Sequence, residues 1–216
     1  YNQGESGRAI PPSPIIACVG VVDDYSVCRS IAWKEEGNAV YYLGEPLDEL
    51  GGSEYYRTIY RTLGANVPQA DFIRERNQMR AVIEMHALGW VRACHDTGQG
   101  GLATALAEMT IRGAGGGRLG LKVDLDELAG TGLAPEKMLF SETGGFVLEL
   151  AQESEREVLA LCARNRVQLY RLGLLDGRGA LDIRIGNERL ASWKTGELEN
   201  AFLYGCRGIF GIEKGI

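Results

Sequence analysis

The sequence predicts an α/β (α+β) protein, a layered, mixed β-sheet covered by helices. Three observations carry this. Short apolar, β-branched runs alternate along the chain with longer segments of helical periodicity. Glycines or capping residues punctuate most of the junctions. At 216 residues and 45% hydrophobic, the chain is long and apolar enough for a sizeable core.

The elements follow in order. "PIIACVGVV" (14–22) reads as a buried strand, with Pro11, Pro12 and Pro14 holding its entry extended. "DDYSVCRSIAWKEEGN" is polar and crosses between units, and "AVYYLG" (39–44) is a second strand closed by Gly44. In "ELGGSEYYRTIYRTLG", Ser53 caps a helix on which Tyr56, Ile59, Tyr60 and Leu63 repeat, with Gly64 as its stop. "VPQADFIRERNQMRAVIEMHALG" is the clearest helix: Asp71 caps it, Met79, Val82, Ile83 and His86 form its apolar stripe, and Gly89 ends it. "WVRAC" is a strand. "LATALAEMTIRG" is a helix with Leu102, Leu106 and Met109 on one face and Gly113 as its stop. "LGLKVDL" and "FVLEL" are strands, "ESEREVLALCARN" is a helix, "VQLYRLGLL" and "ALDIRIG" close the sheet, and "GELENAFLYG" is a terminal helix. The glycine-broken "CRGIFGIEKGI" has no assignment.

Composition narrows the function. A net charge of -6 without clustered Lys/Arg argues against nucleic acid and anionic membranes as partners, and no apolar run reaches a membrane span. The five cysteines are scattered without a CxxC pair, which fits reduced thiols in a cytoplasmic protein. The chain opens Tyr1-Asn2 and meets its first apolar run within fifteen residues, as expected of a piece cut from a longer chain.

Three glycine-rich turns are candidate sites. In "CHDTGQGGLATALAEM" (94–109) a strand ends at His95-Asp96, and Gly98, Gly100 and Gly101 let the backbone approach a ligand. The helix that follows directs free N–H groups at that loop, an anion site, and Asp96 is a hard ligand suited to Mg²⁺ held by phosphates. The alternative is a tight strand-to-helix turn with a solvated aspartate. In "LGGSEYY" (50–56), Gly51, Gly52 and Ser53 form a second such nest or a plain N-cap. In "LFSETGGF" (139–146), Ser141, Glu142 and Thr143 stand between apolar runs, as a site or a turn. No nucleophile signature occurs. Cys94 reads as a small buried hydrophobe, and "RGAGGGRLG" lacks the GK[ST] ending of a phosphate loop and reads as a hairpin or loop.

"IPPSP", "LGEPLDELGGSEYY", "CHDTGQGGLATALAEM" and "LFSETGGFVLEL", in this order and spacing, resemble the C-terminal part of the synthetase subunit of the phosphoribosylformylglycinamidine synthase family. The resemblance covers roughly residues 1 to 203. It implies that residues 1–36 end a preceding ATP-binding domain and cross over, that 37–204 form an aminoimidazole ribonucleotide synthetase-like C-terminal domain, and that 205–216 are an unassigned tail. It implies an ATP- and Mg²⁺-dependent amidotransferase of purine biosynthesis, working with the N-terminal half of the same synthetase, a glutaminase subunit or domain, and a small accessory subunit. No catalytic residue falls in this chain, because the catalytic histidine of the family lies in the first half. Asp96 is the implied Mg²⁺ ligand of an auxiliary nucleotide. The candidate nucleotide-binding residues are Gly98, Gly100, Gly101, Gly52, Ser53, Ser141 and Glu142. The family commonly has a serine and then an acidic residue where this chain has Gly98 and Gln99, so one hydroxyl and one charge are missing. Two other readings accompany this one: a non-catalytic interface half with a decayed auxiliary site, and a related ATP-dependent synthetase or kinase of the same fold.

Overall fold

The computed structural model describes residues 15–111 and 119–205. The three prolines before residue 15, the stop at Gly113, most of "RGAGGGRLG" and the tail beyond Gly205 lie outside the described residues.

Seven strands form one mixed sheet: β1 (Ala39–Leu43), β2 (Val91–Asp96), β3 (Gly120–Asp124), β4 (Phe146–Leu150), β5 (Leu169–Asp176), β6 (Ala180–Ile185) and β7 (Glu188–Lys194). Their order is β2-β4-β1-β5-β3-β6-β7, antiparallel except for the β3–β6 pair. The helices are α1 (Phe72–Ala87), α2 (Gly101–Ile111), α3 (Asp126–Ala129), α4 (Pro135–Phe140), α5 (Glu155–Asn165) and α6 (Thr195–Tyr204).

β1 lies inside the sheet and is buried at every residue. The two-residue period of a strand sends Val40 and Tyr42 to one face and Ala39, Tyr41 and Leu43 to the other. The first face packs on Leu102, Leu106 and Met109 of α2 and on Met138 and Leu139 of α4. The second packs on Ala81, Val82 and Met85 of α1 and on Val158, Leu161 and Cys162 of α5. The result is the predicted layered sheet covered by helices, and the face that α2 forms is the one forecast from its leucines and methionine.

Four expectations change. Residues 15–22 form no strand, and Ile15, Ile16, Val19 and Val21 are exposed. A strand exists only where a neighbour takes its N–H and C=O groups, and no described strand pairs with this run. The element after Ser53 is a single π turn, Tyr56–Tyr60, stopped by Arg61 in the left-handed region (φ 53) before Gly64 is reached. α1 is capped as predicted, with Asp71 Oδ1 accepting from the Ile73 and Arg74 amides at 3.0 Å, and Gly89 follows it at φ 72. Its buried stripe, however, is Gln78, Ala81, Val82 and Met85, which leaves Met79 and Ile83 exposed. Finally, β7, α3 and α4 add to the predicted elements. β7 is a largely exposed edge strand, and α3 and α4 are too short to show periodicity.

The crossover segment is fixed by one buried carboxylate. Glu149, fully buried on β4, accepts from the Lys34 amide (2.8 Å), the Glu35 amide (3.1 Å) and Asn38 Nδ2 (2.7 Å). Nearby Trp33, also fully buried, donates from Nε1 to Thr110 Oγ1 at 3.3 Å. Burial pushes the Glu149 carboxyl above the usual carboxylate range, and the Asn38 amide and the two backbone amides pull the other way.

Glu149→Ala leaves those three donors without an acceptor and should cost about 3 kcal/mol, read as a lower urea midpoint. The folded chain holds the Glu149 proton more tightly than the unfolded chain does. This group's contribution to stability is therefore present below its ordinary value, about 4.3, and is lost as pH rises through the raised one. Glu149→Gln removes that titration. The stability of wild type minus that of the variant should fall as pH is raised from about 4 toward neutrality. An unchanged difference would refute the assignment.

Candidate functional site

The C-terminal ends of β1 and β2 and the N-terminal end of β4 lie side by side, with Leu43 opposite Phe146 and Asp96 opposite Phe146 on its other flank. The three glycine-rich turns leave from this one end of the sheet, and the structure joins them.

Glu142 is the joint. Its Oε1 accepts from the Gly100 amide (2.8 Å) and from the Glu54 amide (2.9 Å), tying all three segments together. Gly101 (φ +64) is the close approach: a Cβ there would lie 2.8 Å from the carbonyl oxygens of Leu139 and Ser141. Glu49 adds a second buried tie, accepting from Thr143 Oγ1 (3.0 Å) and from the Gln69 amide (3.1 Å). Ser141 and Thr143 share a hydrogen bond of 2.7 Å, and the Thr97 amide donates to the Gly145 carbonyl at 2.9 Å.

Ser53 and Ser141 are buried and turned toward the protein. Ser53 Oγ donates to the Leu50 carbonyl at 2.6 Å and accepts from the Tyr56 amide at 3.2 Å. Gly52 (φ +75) sits at the turn before it. The structure thus brings Gly52, Ser53, Gly100, Gly101, Ser141 and Glu142 into one interlocked cluster whose polar groups largely serve one another.

Asp96 and Gly98 stand on the outer side of the turn. Together with His95, Gln99, Thr104 and Glu108 they line a cavity of about 210 Å³. His95 Nε2 lies 2.6 Å from Glu108 Oε2, and Nδ1 lies 3.2 Å from Asp96 Oδ1, so both ring nitrogens face carboxylates. The Asp96 side chain is 73% exposed. Glu108 was not singled out from sequence. Its signal is that it is the one acidic residue of α2, four residues after Thr104 and so on the same face.

Cys94 packs against the α1–α5 side of the sheet, and its thiol is pushed up to about 12 by burial and then by the Asp96 charge. At neutral pH it is an inert thiol, as predicted for a small buried hydrophobe.

Asp96 offers one exposed carboxylate, and no group of three or more His, Cys, Asp or Glu among the described residues is placed to hold a metal ion. That donor set suits Mg²⁺ only when phosphate oxygens complete the shell. The Gly100 amide, which would face such a phosphate, is already taken by Glu142.

Comparisons with known proteins agree with this fold. The family model for AIR synthase related protein, C-terminal domain, matches residues 35–186. The phosphoribosylformylglycinamidine synthase subunit PurL of Methanothrix thermoacetophila is 36% identical over 207 residues, 96% of this chain and 26% of that protein. The chain therefore spans about a quarter of the length of the curated relatives it matches. Among solved structures, T. maritima PurL complexed with FGAR aligns at TM-score 0.67 and 18% identity, over 80% of this chain and 29% of that one. The same protein complexed with ATP aligns at TM-score 0.62 and 17% identity, over 80% and 27%. At that identity the solved structures establish the fold.

Glu142→Ala should cost about 2 kcal/mol, because it leaves the Gly100 and Glu54 amides without their charged acceptor. Urea unfolding measures this. A loss under about 0.5 kcal/mol, the scatter of ordinary surface substitutions, would show that the carboxylate does not hold the turns together.

Proposed function

The chain belongs to the AIR synthase related protein, C-terminal domain family, and from that premise we propose that it is the C-terminal segment of a phosphoribosylformylglycinamidine synthase. The parent enzyme is an ATP-dependent C–N ligase of purine biosynthesis, cytoplasmic, converting formylglycinamide ribonucleotide to formylglycinamidine ribonucleotide. The observation that carries this reading is the union of "LGGSEYY", "HDTGQGGLA" and "LFSETGGF" at one sheet end, in a chain matched over 96% of its length by a PurL subunit.

On this reading residues 1–36 end a preceding ATP-binding domain, 37–204 form the C-terminal domain, and 205–216 are a tail. Its partners are the N-terminal half of the same synthetase, a glutaminase and a small accessory subunit. The solved T. maritima PurLQS, whose name joins PurL to further components, supports the assembly. No helix among the described residues is long and apolar enough to cross a membrane.

This segment's own share is an auxiliary nucleotide site: Asp96 toward Mg²⁺, and Gly98, Gly100, Gly101, Gly52, Ser53, Ser141 and Glu142 around the nucleotide. The solved complex of T. maritima PurL with ATP supports a nucleotide in the parent enzyme. One observation favours the second reading, an interface half whose site has decayed. Glu142 places a carboxylate on the amide that would meet a phosphate, and Gly98 and Gln99 leave the loop without the hydroxyl and the acidic group that the family commonly has there. The two readings describe one enzyme with a silent half.

The 216-residue chain alone should show no ATP-dependent conversion of formylglycinamide ribonucleotide. Measurable turnover would overturn the assignment of catalysis to the other half. By calorimetry, Mg-ADP binding should be weak or absent, and Asp96→Asn should abolish whatever exists. Tight binding that survives Asp96→Asn would move the site elsewhere.

A further inference from the structure

α1 carries a second apolar face. The first, with Ala81, Val82 and Met85, is buried in the core beside α5. The exposed residues of the helix are Phe72, Ile73, Arg76, Met79, Arg80, Ile83 and Ala87. All of these but Ile73 recur three or four residues apart, so they line one outward stripe. Phe72 is 80% exposed, Ile83 68% and Met79 49%. The stripe holds no carboxylate.

A solvated helix face is normally charged and polar. Scattered exposed apolar residues need no explanation, but three large ones along one stripe of about 17 Å do. Phe72, Arg76, Met79 and Ile83 also follow the alternating four- and three-residue spacing of a seam that packs on another helix. Positive charge lies on the same stripe. Glu84 pairs with Arg164 at 2.6 Å, on the flank toward α5. Arg76 and Arg80 pair with no described residue.

We propose that this stripe is a docking surface for an amphipathic helix of a partner protein. The partner's apolar seam lies along Phe72, Met79 and Ile83, and a row of its carboxylates meets Arg76 and Arg80. Two other occupants fit less well. A second copy would present the same two arginines and no outward carboxylate to receive them. An anionic membrane is held by clustered basic residues, which two arginines on a chain of net charge -6 do not supply. None of the stripe's residues lines the cavity at Asp96, so the inference is independent of a nucleotide there.

The test uses the intact chain and a labelled synthetic helix of about three heptads, with Leu at a and d, Glu at e and g, and Ala elsewhere. Like charges on its flanks keep that helix from pairing with itself. Its twin carries Lys in place of Glu. In fluorescence anisotropy the Glu helix should bind saturably, and the Lys twin about tenfold or more weaker. Ile83→Lys should weaken the Glu helix by about tenfold or more, the loss typical of a hot-spot side chain. Arg76→Glu combined with Arg80→Glu should reverse the preference, so that the Lys twin binds better than the Glu helix. All three side chains are exposed, so the variants should keep the wild-type urea midpoint. Equal binding of the two helices, or wild-type affinity in Ile83→Lys, would overturn the docking surface. So would dimers in sedimentation that Ile83→Lys dissolves, which would assign the stripe to a second copy. Binding to phosphatidylserine–phosphatidylcholine vesicles that Ile83→Lys abolishes would overturn it in favour of a membrane surface.

Discussion

The loop end of this domain depends on one carboxylate placed against backbone amides. Glu142 takes the N–H of Gly100, at the mouth of α2, and that of Glu54, in a turn 88 residues away in sequence. The first amides of a helix have no partner within the helix and carry its positive end. An internal carboxylate satisfies one of them as a bound anion would. This explains why three segments that each read as a possible phosphate loop form a closed knot. It also explains Gly101, since only a residue without Cβ lets α2 begin against the carbonyls of Leu139 and Ser141.

Most of the fold was legible because the central strands are buried on both faces and therefore appear as apolar runs. "AVYYLG" and "FVLEL" are such strands, and they pair antiparallel with Leu43 opposite Phe146. The face of α2 was legible for the same reason. α1 was misread in its facing: Met79 and Ile83 are apolar but exposed, while Gln78 is buried. Helical periodicity defines a stripe, but which neighbouring stripe turns inward is decided by what α5 and the sheet present. The run 15–22 shows the complementary limit, since apolar composition does not make a strand where no neighbour pairs with it.

The site was legible as a set of motifs but not as a set of bonds. Gly98, Gly100, Gly101 and Asp96 stand where a strand-to-helix loop was expected. What no sequence pattern shows is that Glu142 points at Gly100 or that Glu108 reaches His95. Those are facts of side-chain direction, set by how the chain folds around the sheet end.

Converging donors are what make polar burial tolerable in this domain. Glu149 is a charge taken fully out of water, yet three donors converge on it, so it fixes the crossover segment. Around Tyr42 the packing is tighter still: its hydroxyl donates to the Gly144 carbonyl at 2.9 Å, and a Cβ on Gly44 or Gly145 would lie 2.9 Å from it. Carboxylates that meet converging amides therefore hold both the crossover and the turns of this domain.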